Sequence, residues 1–238
     1  KDYLNDTLEL LTGDCWQIDF RPRKSGTDDE HQRNFRLQTS STSILPYSEG
    51  LDSKIVAGLL QRQVGNGLIR IRLGHSSASR GNVSESNPPF ASVPYRVHIE
   101  QQHPDSSSRS RGFRFALISG IVAYLTKASE IIVPESGQGA IGPVLVPVGQ
   151  AYEDYRNYPT FTLRMSHLID RLCGHRVDYK FPRLWCTKGE TLRAYIVQVG
   201  HDWCDTRSCW QGNRHASVGH RRRQCGICAA CMLRRMSI

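Results

Sequence analysis

The sequence predicts an α/β fold built on a largely parallel sheet. Short apolar strands alternate with helical patterns through most of the 238 residues, an order typical of parallel strands joined by helices. A polar loop of small residues follows one of these strands and directly precedes a helix. Because ligands of parallel α/β folds bind beyond the carboxyl ends of the strands, this loop marks the first candidate site.

The first third of the chain supplies three strands and one helix. WQIDFRPR (16–23) alternates like a strand, and SILPY (43–47) is a short apolar strand. KIVAGLLQRQ (54–63) repeats apolar residues at helical spacing. LIRIRLG (68–74) alternates strictly, which predicts a strand with one arginine face. The serine-, asparagine- and proline-rich stretch 76–92 predicts a loop.

Two further strands flank an apolar helix. YRVHIEQ (95–101) and EIIVPES (130–136) have the composition of strands. Between them, FRFALISGIVAYL opens a helix over 113–127 that we expect to lie in the core. This apolar run is too short to cross a bilayer and contains Arg114.

The last two predicted helices carry their own end signals. TFTLRMSHLIDRLCG (160–174) is amphipathic and ends at Gly174. TKGETLRAYIVQVG (187–200) begins with Thr187 and has Glu190 three residues later, which is the spacing of a capping box. Both helices therefore have ends that the sequence specifies.

The charge balance favours an anionic partner. A formal net charge of +9 suits a nucleotide, a nucleic acid or another acidic surface. Charge alone does not choose among them, because an excess of arginine often forms a solvated face. The run HRRR (220–223) has the same two interpretations: it binds an acidic partner, or it is solvated.

The loop SEGLDS (48–53) has the features of a phosphate-binding turn. A strand, a turn of small residues and a helix start gather backbone N–H groups around one point, and the helix dipole adds partial positive charge. Ser48 and Ser53 can donate hydrogen bonds, Gly50 permits a close backbone approach, and Asp52 can hold Mg²⁺ between phosphates. The alternative is an ordinary strand-to-helix turn with serine and aspartate caps.

Four of the eight cysteines crowd into the last 30 residues. Cys225, Cys228 and Cys231 form C-x-x-C-x-x-C, and Cys209 precedes them by sixteen positions. Four thiolates in a tetrahedron suit a structural zinc ion. Such clustering indicates metal binding in a reducing compartment, so we expect a cytoplasmic protein.

The fourth metal ligand is less certain than the first three. Cys209 is the best candidate, Cys204 competes with it, and His215 and His220 are more distant choices. An iron–sulfur cluster and buried free thiols are the alternatives to zinc.

Both candidate sites resemble parts of one family. S-E-G-L-D-S resembles the S-G-G-x-D-S loop of the ATP pyrophosphatase (PP-loop) proteins, except that Glu49 stands where those proteins have glycine. S-C-W-Q-G (208–212) with C-G-I-C-A-A-C-M-L-R-R (225–235) resembles the 7-cyano-7-deazaguanine synthase (QueC) family, and T-K-G-E (187–190) looks like its T-K-x-E helix start. The resemblance extends over about residues 43–238.

Three central segments look more like a particular branch of that family. S-R-S-R-G (108–112), the run at 133–143 and N-Y-P-T-F-T-L-R-M (157–165) resemble QueC-like proteins of anti-phage defence systems, of the QatC kind. The resemblance implies a Rossmann-like PP-loop domain and a zinc element. We expect residues 1–42 to be a strand and loop segment left from a longer N-terminal region, 43–200 the nucleotide-binding domain, and 201–238 the zinc-binding element.

The resemblance implies an ATP-dependent reaction. A 7-carboxy-7-deazaguanine carboxylate attacks the α-phosphate of ATP, and an amine then displaces AMP to form an amide. In the housekeeping enzyme the amine is ammonia, and a second activation converts the amide to a nitrile. In the defence branch, a partner protein from the same operon is expected to supply the amine. Zn²⁺, ATP and Mg²⁺ are the implied cofactors.

Matching motif positions imply roles for individual residues. The ATP-binding set is Ser48, Glu49, Gly50, Leu51, Asp52 and Ser53. The catalytic set is Asp52, Arg109, Arg111 and Lys188. The set that reads the edge of the base is Glu135, Gln138 and Gly139, and the metal ligands are Cys209, Cys225, Cys228 and Cys231. The alternatives are a solvated loop for the arginines, helix capping for Glu135 and Gln138, and a surface position for Lys188.

Three functions remain in competition, and Glu49 bears on the choice between the first two. A side chain with negative charge at this place is expected to weaken ATP binding, because it repels phosphate. The leading function is the ligase, and the second is a catalytically impaired nucleotide-binding scaffold in a defence complex. The third, a tRNA-modifying PP-loop protein, lacks an obvious catalytic cysteine pair, because Cys15, Cys173 and Cys186 are scattered.

Overall fold

A computed structural model describes most of the chain. The described residues are 1–22, 42–48, 50–73, 90–93, 109–146, 152–206, 208–209, 217–218, 221–222 and 224–238. Their helices are α1 (Asp2–Thr12), α2 (Leu51–Val64), α3 (Arg109–Thr126), α4 (Gly137–Ala140), α5 (Gly142–Leu145), α6 (Pro159–Cys173), α7 (Lys188–Gln198) and α8 (Ala229–Ser237). Their strands are β1 (Ser43–Pro46), β2 (Leu68–Leu73), β3 (Phe90–Val93), β4 (Glu130–Ile132), β5 (Asp178–Lys180), β6 (Ser217–Val218) and β7 (Arg221–Arg222).

The first five strands form one parallel sheet in the order β3-β2-β1-β4-β5. In the central strand, Ile44 is paired with Ile69 on one side and with Ile131 on the other. The chain adds strands on one side of β1 and then returns to the other side, so the order reverses between β1 and β4. This Rossmann-like arrangement confirms the α/β prediction and places a ligand-binding crevice beyond those two strands.

Helices cover both faces of the sheet, and its central strand β1 is buried on both of them. Ile44 packs with residues of α3 and α6, whereas the next residue, Leu45, packs with residues of α2 and α7. Successive side chains of a strand point to opposite faces, and this alternation separates the two core layers. The apolar positions that predicted β1 and α2 are therefore the ones that the fold buries.

The predicted helix ends are confirmed. Gly174 ends α6 in the left-handed conformation, with φ 62° and ψ 29°. At the start of α7, the Thr187 side chain accepts a hydrogen bond from the Glu190 amide, and the Glu190 carboxylate accepts one from the Thr187 amide. This capping box stabilises helix ends by satisfying two amides that lack partners within the helix.

The predicted core helix at 113–127 is confirmed with an earlier start, at Arg109. Its buried residues include Ala116, Val122 and Ala123, whereas Leu125 is 46% exposed. Among the described residues, no helix is both long enough and apolar enough to cross a membrane.

Some predicted segments are wrong. Residues 16–22 form no strand; the Trp16 indole instead donates to Thr12 Oγ1 at 2.9 Å, and Phe20 is 71% exposed. The alternating pattern was misleading because β3 and β5, not this segment, are the edges of the described sheet. The predicted loop 76–92 is wrong at its end, where β3 begins at Phe90.

Some predicted segments lie outside the described residues, and some elements of the structure were not predicted. The expected strand 95–101 and most of the expected loop 76–92 are outside the described residues. Helix α1, strand β5 and helix α8 were not predicted. Helix α1 packs on α3 and α6, with Leu11 in a cluster with Ala116, Phe161 and Met165.

Candidate functional site

A cavity of about 890 Å³ lies beyond the carboxyl ends of β1 and β4. Its volume is in the range of sites for nucleotides and other small molecules. Besides the metal-ligand candidate Cys209, the structure brings nine of the residues predicted to bind ATP or the base, or to act in catalysis, to its walls. They are Ser48, Gly50, Asp52, Ser53, Arg111, Glu135, Gln138, Gly139 and Lys188.

The loop after β1 is closed by its two serines. The Ser53 hydroxyl donates to the Ser48 carbonyl at 2.7 Å, and the Ser48 amide donates to Ser53 Oγ at 3.2 Å. The Gly50 amide donates to Ser48 Oγ at 3.2 Å. Gly50 is the N-cap of α2, and glycine has no side-chain oxygen for the first helical amides. The start of α2 therefore differs from the serine- or aspartate-capped turn that was the alternative.

Leu51 contributes its amide to the site and its side chain to the core. The side chain is fully buried, and the amide donates to the Ser208 hydroxyl at 3.4 Å. Ser208 also lines the cavity and directly precedes Cys209. This contact connects the phosphate-loop candidate to the cysteine-rich end of the chain.

Lys188 pairs with Asp52 in the wall of the cavity. Its ammonium group donates a hydrogen bond to Asp52 Oδ2, and Lys188 is 7% exposed. The Lys188 backbone amide donates to Gln138 Oε1 at 2.8 Å. Lys188 is therefore not the surface lysine that was the alternative, whereas the Gln138 oxygen acts as a helix cap, as its alternative predicted.

Glu135 carries the strongest electrostatic perturbation at the cavity. Desolvation raises its pKa from the ordinary 4.5 to about 8; Asp52 raises it too, while Lys188 and Arg156 lower it. Burial therefore favours the protonated form of this carboxyl group. A Cβ atom at Gly139 would lie 2.2 Å from Glu135 Oε2. Glycine at 139 is thus required for Glu135 to hold this position.

Of the two predicted arginines, the structure describes the side chain of Arg111 and not that of Arg109. Arg111 is exposed, and its guanidinium lies 5.0 Å from the centre of the Phe115 ring. Arg109 begins α3, but its side chain is outside the described part of the chain. Glu49 is also outside the described residues, so its effect on the loop stays a prediction.

Sequence reasoning missed an arginine–aspartate pair in the cavity wall. Arg156 Nε donates to both Asp154 carboxylate oxygens at 2.8 Å. Burial alone would raise the pKa of Asp154, but the hydrogen bonds and charge of Arg156 lower it overall. Both residues lie in the irregular segment before α6, which has no periodic pattern. The spacing Asp-x-Arg in an aromatic stretch, YEDYRNY, was the available signal.

The four cysteines of the predicted zinc site come together. The sulfur atoms of Cys209, Cys225, Cys228 and Cys231 all lie within 4.8 Å of one another. The Cys225–Cys231 and Cys209–Cys228 sulfurs are each 3.9 Å apart. Tetrahedral Zn–S bonds of about 2.3 Å place sulfurs about 3.8 Å apart, so the cluster fits a metal ion such as zinc.

The local environments of two of these thiols differ. Hydrogen bonds from the Cys228 and Ile227 amides lower the pKa of Cys225, whereas burial raises that of Cys231 to about 12. A divalent ion that replaces the thiol protons would satisfy both sulfurs. Cys204 is exposed and is not part of this cluster, and His215 and His220 lie outside the described residues.

The cysteine-rich C-terminal element packs on the face of the sheet that α2 and α7 cover. Helix α8 packs on α7, and buried Arg234 donates to the Thr206 carbonyl at 2.9 Å. Lys54 of α2 forms an ion pair with Asp202 at 3.1 Å. Cys209 itself lines the cavity. The element therefore forms one wall of the candidate site.

One comparison relates this arrangement to known proteins. Residues 139–238 match the family model of the queuosine biosynthesis protein QueC. The QueC-like range contains Lys188 and all four clustered cysteines, covers less than half of the chain and leaves out the loop at 48–53. A search of curated proteins found no match.

Proposed function

We propose that this protein is a QueC-like, ATP-dependent ligase that activates a carboxylate on a 7-deazaguanine base and joins it to an amine. The observation that carries the proposal is the Asp52–Lys188 pair. It joins the start of α2, which resembles a PP-loop, to the start of α7, which lies in the QueC-like range. Two segments, one from each half of the chain, thus carry separate resemblances and line the same cavity.

The first step forms an acyl-adenylate. One carboxylate oxygen of the base attacks the α-phosphorus of ATP, the bond to the bridging oxygen breaks, and pyrophosphate leaves. The loop of Ser48, Gly50 and Ser53 and the amides of α2 would hold the leaving phosphates. Lys188 and Arg111 would offset the negative charge that develops there.

The second step forms the amide. An amine attacks the acyl carbon, AMP leaves with the oxygen that joined it to the acyl group, and the amine loses a proton. The base edge would be read by Glu135, for which Gly139 leaves room. Asp52 would help to hold Mg²⁺, which would offset the charge of the phosphates, since nucleotide sites commonly hold Mg²⁺ with one or two carboxylates.

Zinc is proposed as a structural ion. Cys209, Cys225, Cys228 and Cys231 would hold it, and a closed four-thiolate site leaves no position for substrate. Its contribution is to hold the wall of the cavity that contains Ser208. Because the four cysteines all lie after residue 200, we propose a nucleotide-binding domain (43–200) followed by a zinc-binding element (201–238).

The amine and the biological role are further proposals. A protein amine would agree with the resemblance of three central segments to defence proteins, whereas ammonia and a second activation would give the nitrile. A catalytically impaired scaffold is the second candidate, and Glu49 favours it.

Pyrophosphate exchange tests the activation step. The protein is incubated with ATP, radiolabelled pyrophosphate and 7-carboxy-7-deazaguanine, and label entering ATP is measured. We expect exchange that depends on the carboxylate, and Asp52→Asn as the matched control should reduce it. Absence of exchange in both this protein and Glu49→Gly would support the scaffold.

A further inference from the structure

We infer that Arg156, held by Asp154, binds the substrate carboxylate before activation. This inference rests on the proposed ligase function and assigns one residue within the same cavity. No sequence pattern singled out Arg156, whose contacts with Asp154 and Gly112 hold it in the cavity wall.

Asp154 fixes the arginine so that part of its guanidinium remains available. The pair uses Nε and Nη2 of Arg156. Nη1 makes no hydrogen bond with the residues that the structure describes, and the Arg156 side chain is 31% exposed. Arg156 lines the cavity, so a ligand there can reach the open end of the guanidinium.

Helix α3 fixes the stem of the same side chain. A Cβ atom at Gly112 would lie 2.8 Å from Arg156 Cγ and 3.1 Å from Arg156 Cα. The side chain and backbone of Arg156 therefore pack directly against the glycine. A side chain held at both its stem and its charged group loses little entropy when it binds a ligand.

The charge of the pair favours a carboxylate over a polyphosphate. Asp154 offsets one unit of positive charge, so a singly charged ligand meets less repulsion there than a triphosphate does. Glu135 is influenced by both the Asp52–Lys188 and the Asp154–Arg156 pairs. A base at Glu135 would therefore lie near both, with its carboxylate toward Arg156 and ATP toward Lys188.

Direct binding tests the inference without requiring turnover. Calorimetry compares 7-carboxy-7-deazaguanine with its neutral carboxamide, which differs in charge but hardly in shape. The parent protein should prefer the carboxylate. Arg156→Gln should weaken carboxylate binding by about tenfold to a hundredfold, as expected for hydrogen bonds to a charged group. The carboxamide and ATP should bind it within about twofold of the parent, because neither meets the lost charge.

Two further variants guard against indirect effects. Arg156→Lys keeps the positive charge but loses the paired N–H donors of the guanidinium, so it should show an intermediate preference for the carboxylate. It replaces Arg156→Gln in the test if that variant fails to fold. Arg193→Gln removes an exposed arginine of α7 and should leave the preference unchanged. Retained preference in Arg156→Gln, or an equal loss of ATP binding, overturns the inference and leaves the ligase proposal standing. Failure of the parent protein to bind either base overturns both.

Discussion

Lys188 and Asp52 are 136 residues apart in sequence and form a hydrogen-bonded ion pair in the wall of the cavity. Lys188 begins α7 and Asp52 lies in the first turn of α2. The capping box of α7 and the Gln138 oxygen fix the position of the lysine. The pair thus sets the charge beside the proposed phosphate loop.

Removing the lysine should impair both folding and ATP binding. In Lys188→Met, the Asp52 carboxylate is left largely buried without its partner, and we expect unfolding to become easier by about 1–3 kcal/mol. The ATP Kd should rise by roughly tenfold or more, because an uncompensated carboxylate repels phosphate. Chemical denaturation and calorimetry measure the two effects.

An exposed ion pair supplies the matched control. Lys180 pairs with Asp178 at 3.3 Å, and both side chains are about half exposed. Lys180→Met should change the unfolding free energy by less than about 1 kcal/mol. Similar losses in the two lysine variants would show that the Asp52–Lys188 pair has no special importance.

Replacing Glu49 should strengthen ATP binding. Glu49→Gly removes both the charge and the side chain, whereas Glu49→Gln removes the charge alone. A carboxylate within a few ångströms of phosphate costs on the order of 1–4 kcal/mol at intermediate dielectric. We expect both variants to bind ATP more tightly, with glycine the tighter if the backbone also matters. Equal ATP affinity in all three proteins would refute an inhibitory role for Glu49.

Metal content should depend on the clustered cysteines and not on their neighbour. We expect about one zinc per chain by elemental analysis, and Cys228→Ser should release it and expose the C-terminal segment to protease. Cys204→Ser, which changes an exposed cysteine outside the cluster, should retain the metal. Because the Leu51 amide bonds to Ser208 beside Cys209, ATP affinity should also fall in Cys228→Ser. Full metal retention there would contradict the assignment.

The raised pKa of Glu135 predicts a pH-dependent stability. The folded protein binds this proton up to about pH 8, while the unfolded chain releases it near 4.5. The contribution of Glu135 is therefore favourable below that lower value and is lost as the pH rises toward 8. Relative to Glu135→Gln, the parent protein should lose up to about 1.4 kcal/mol per pH unit in this window.

Denaturation at pH 5, 6, 7 and 8 measures this loss, the four values covering roughly the window that the two pKa values define. Glu153→Gln removes an exposed carboxylate from the same cavity and serves as the control for a general change in charge. A constant difference between the parent and Glu135→Gln across the window would mean that Glu135 ionises normally.

The sequence predicted the elements whose burial is periodic. Ile44 and Leu45 alternate between two covered faces, and the Thr187–Glu190 spacing specified a helix start. Local patterns of this kind depend on neighbours along the chain. Residues 16–22 had the same alternation, but no strand pairs with them in the described part of the chain, so the pattern alone was insufficient.

The sequence predicted the site as separate motifs, but the contacts between those motifs could be identified only from the folded structure. Cys209 was the preferred fourth ligand and Cys204 its competitor, and the structure confirms that Cys209 lies with the other three sulfurs. Arg156 and Asp154 lie in an irregular segment, so no periodicity indicated that they line the cavity. The pKa of Glu135 likewise depends on its burial in the fold and on the charges of Asp52 and Lys188, which are distant in sequence.

Oxygen transfer from the substrate to AMP tests the central claim most directly. The protein is given ATP, an amine and 7-carboxy-7-deazaguanine whose carboxylate carries heavy oxygen, and the products are weighed by mass spectrometry. If the carboxylate attacks the α-phosphorus, AMP carries one heavy oxygen and pyrophosphate carries none. Unlabelled AMP, or label in inorganic phosphate with ADP as the second product, would contradict the account.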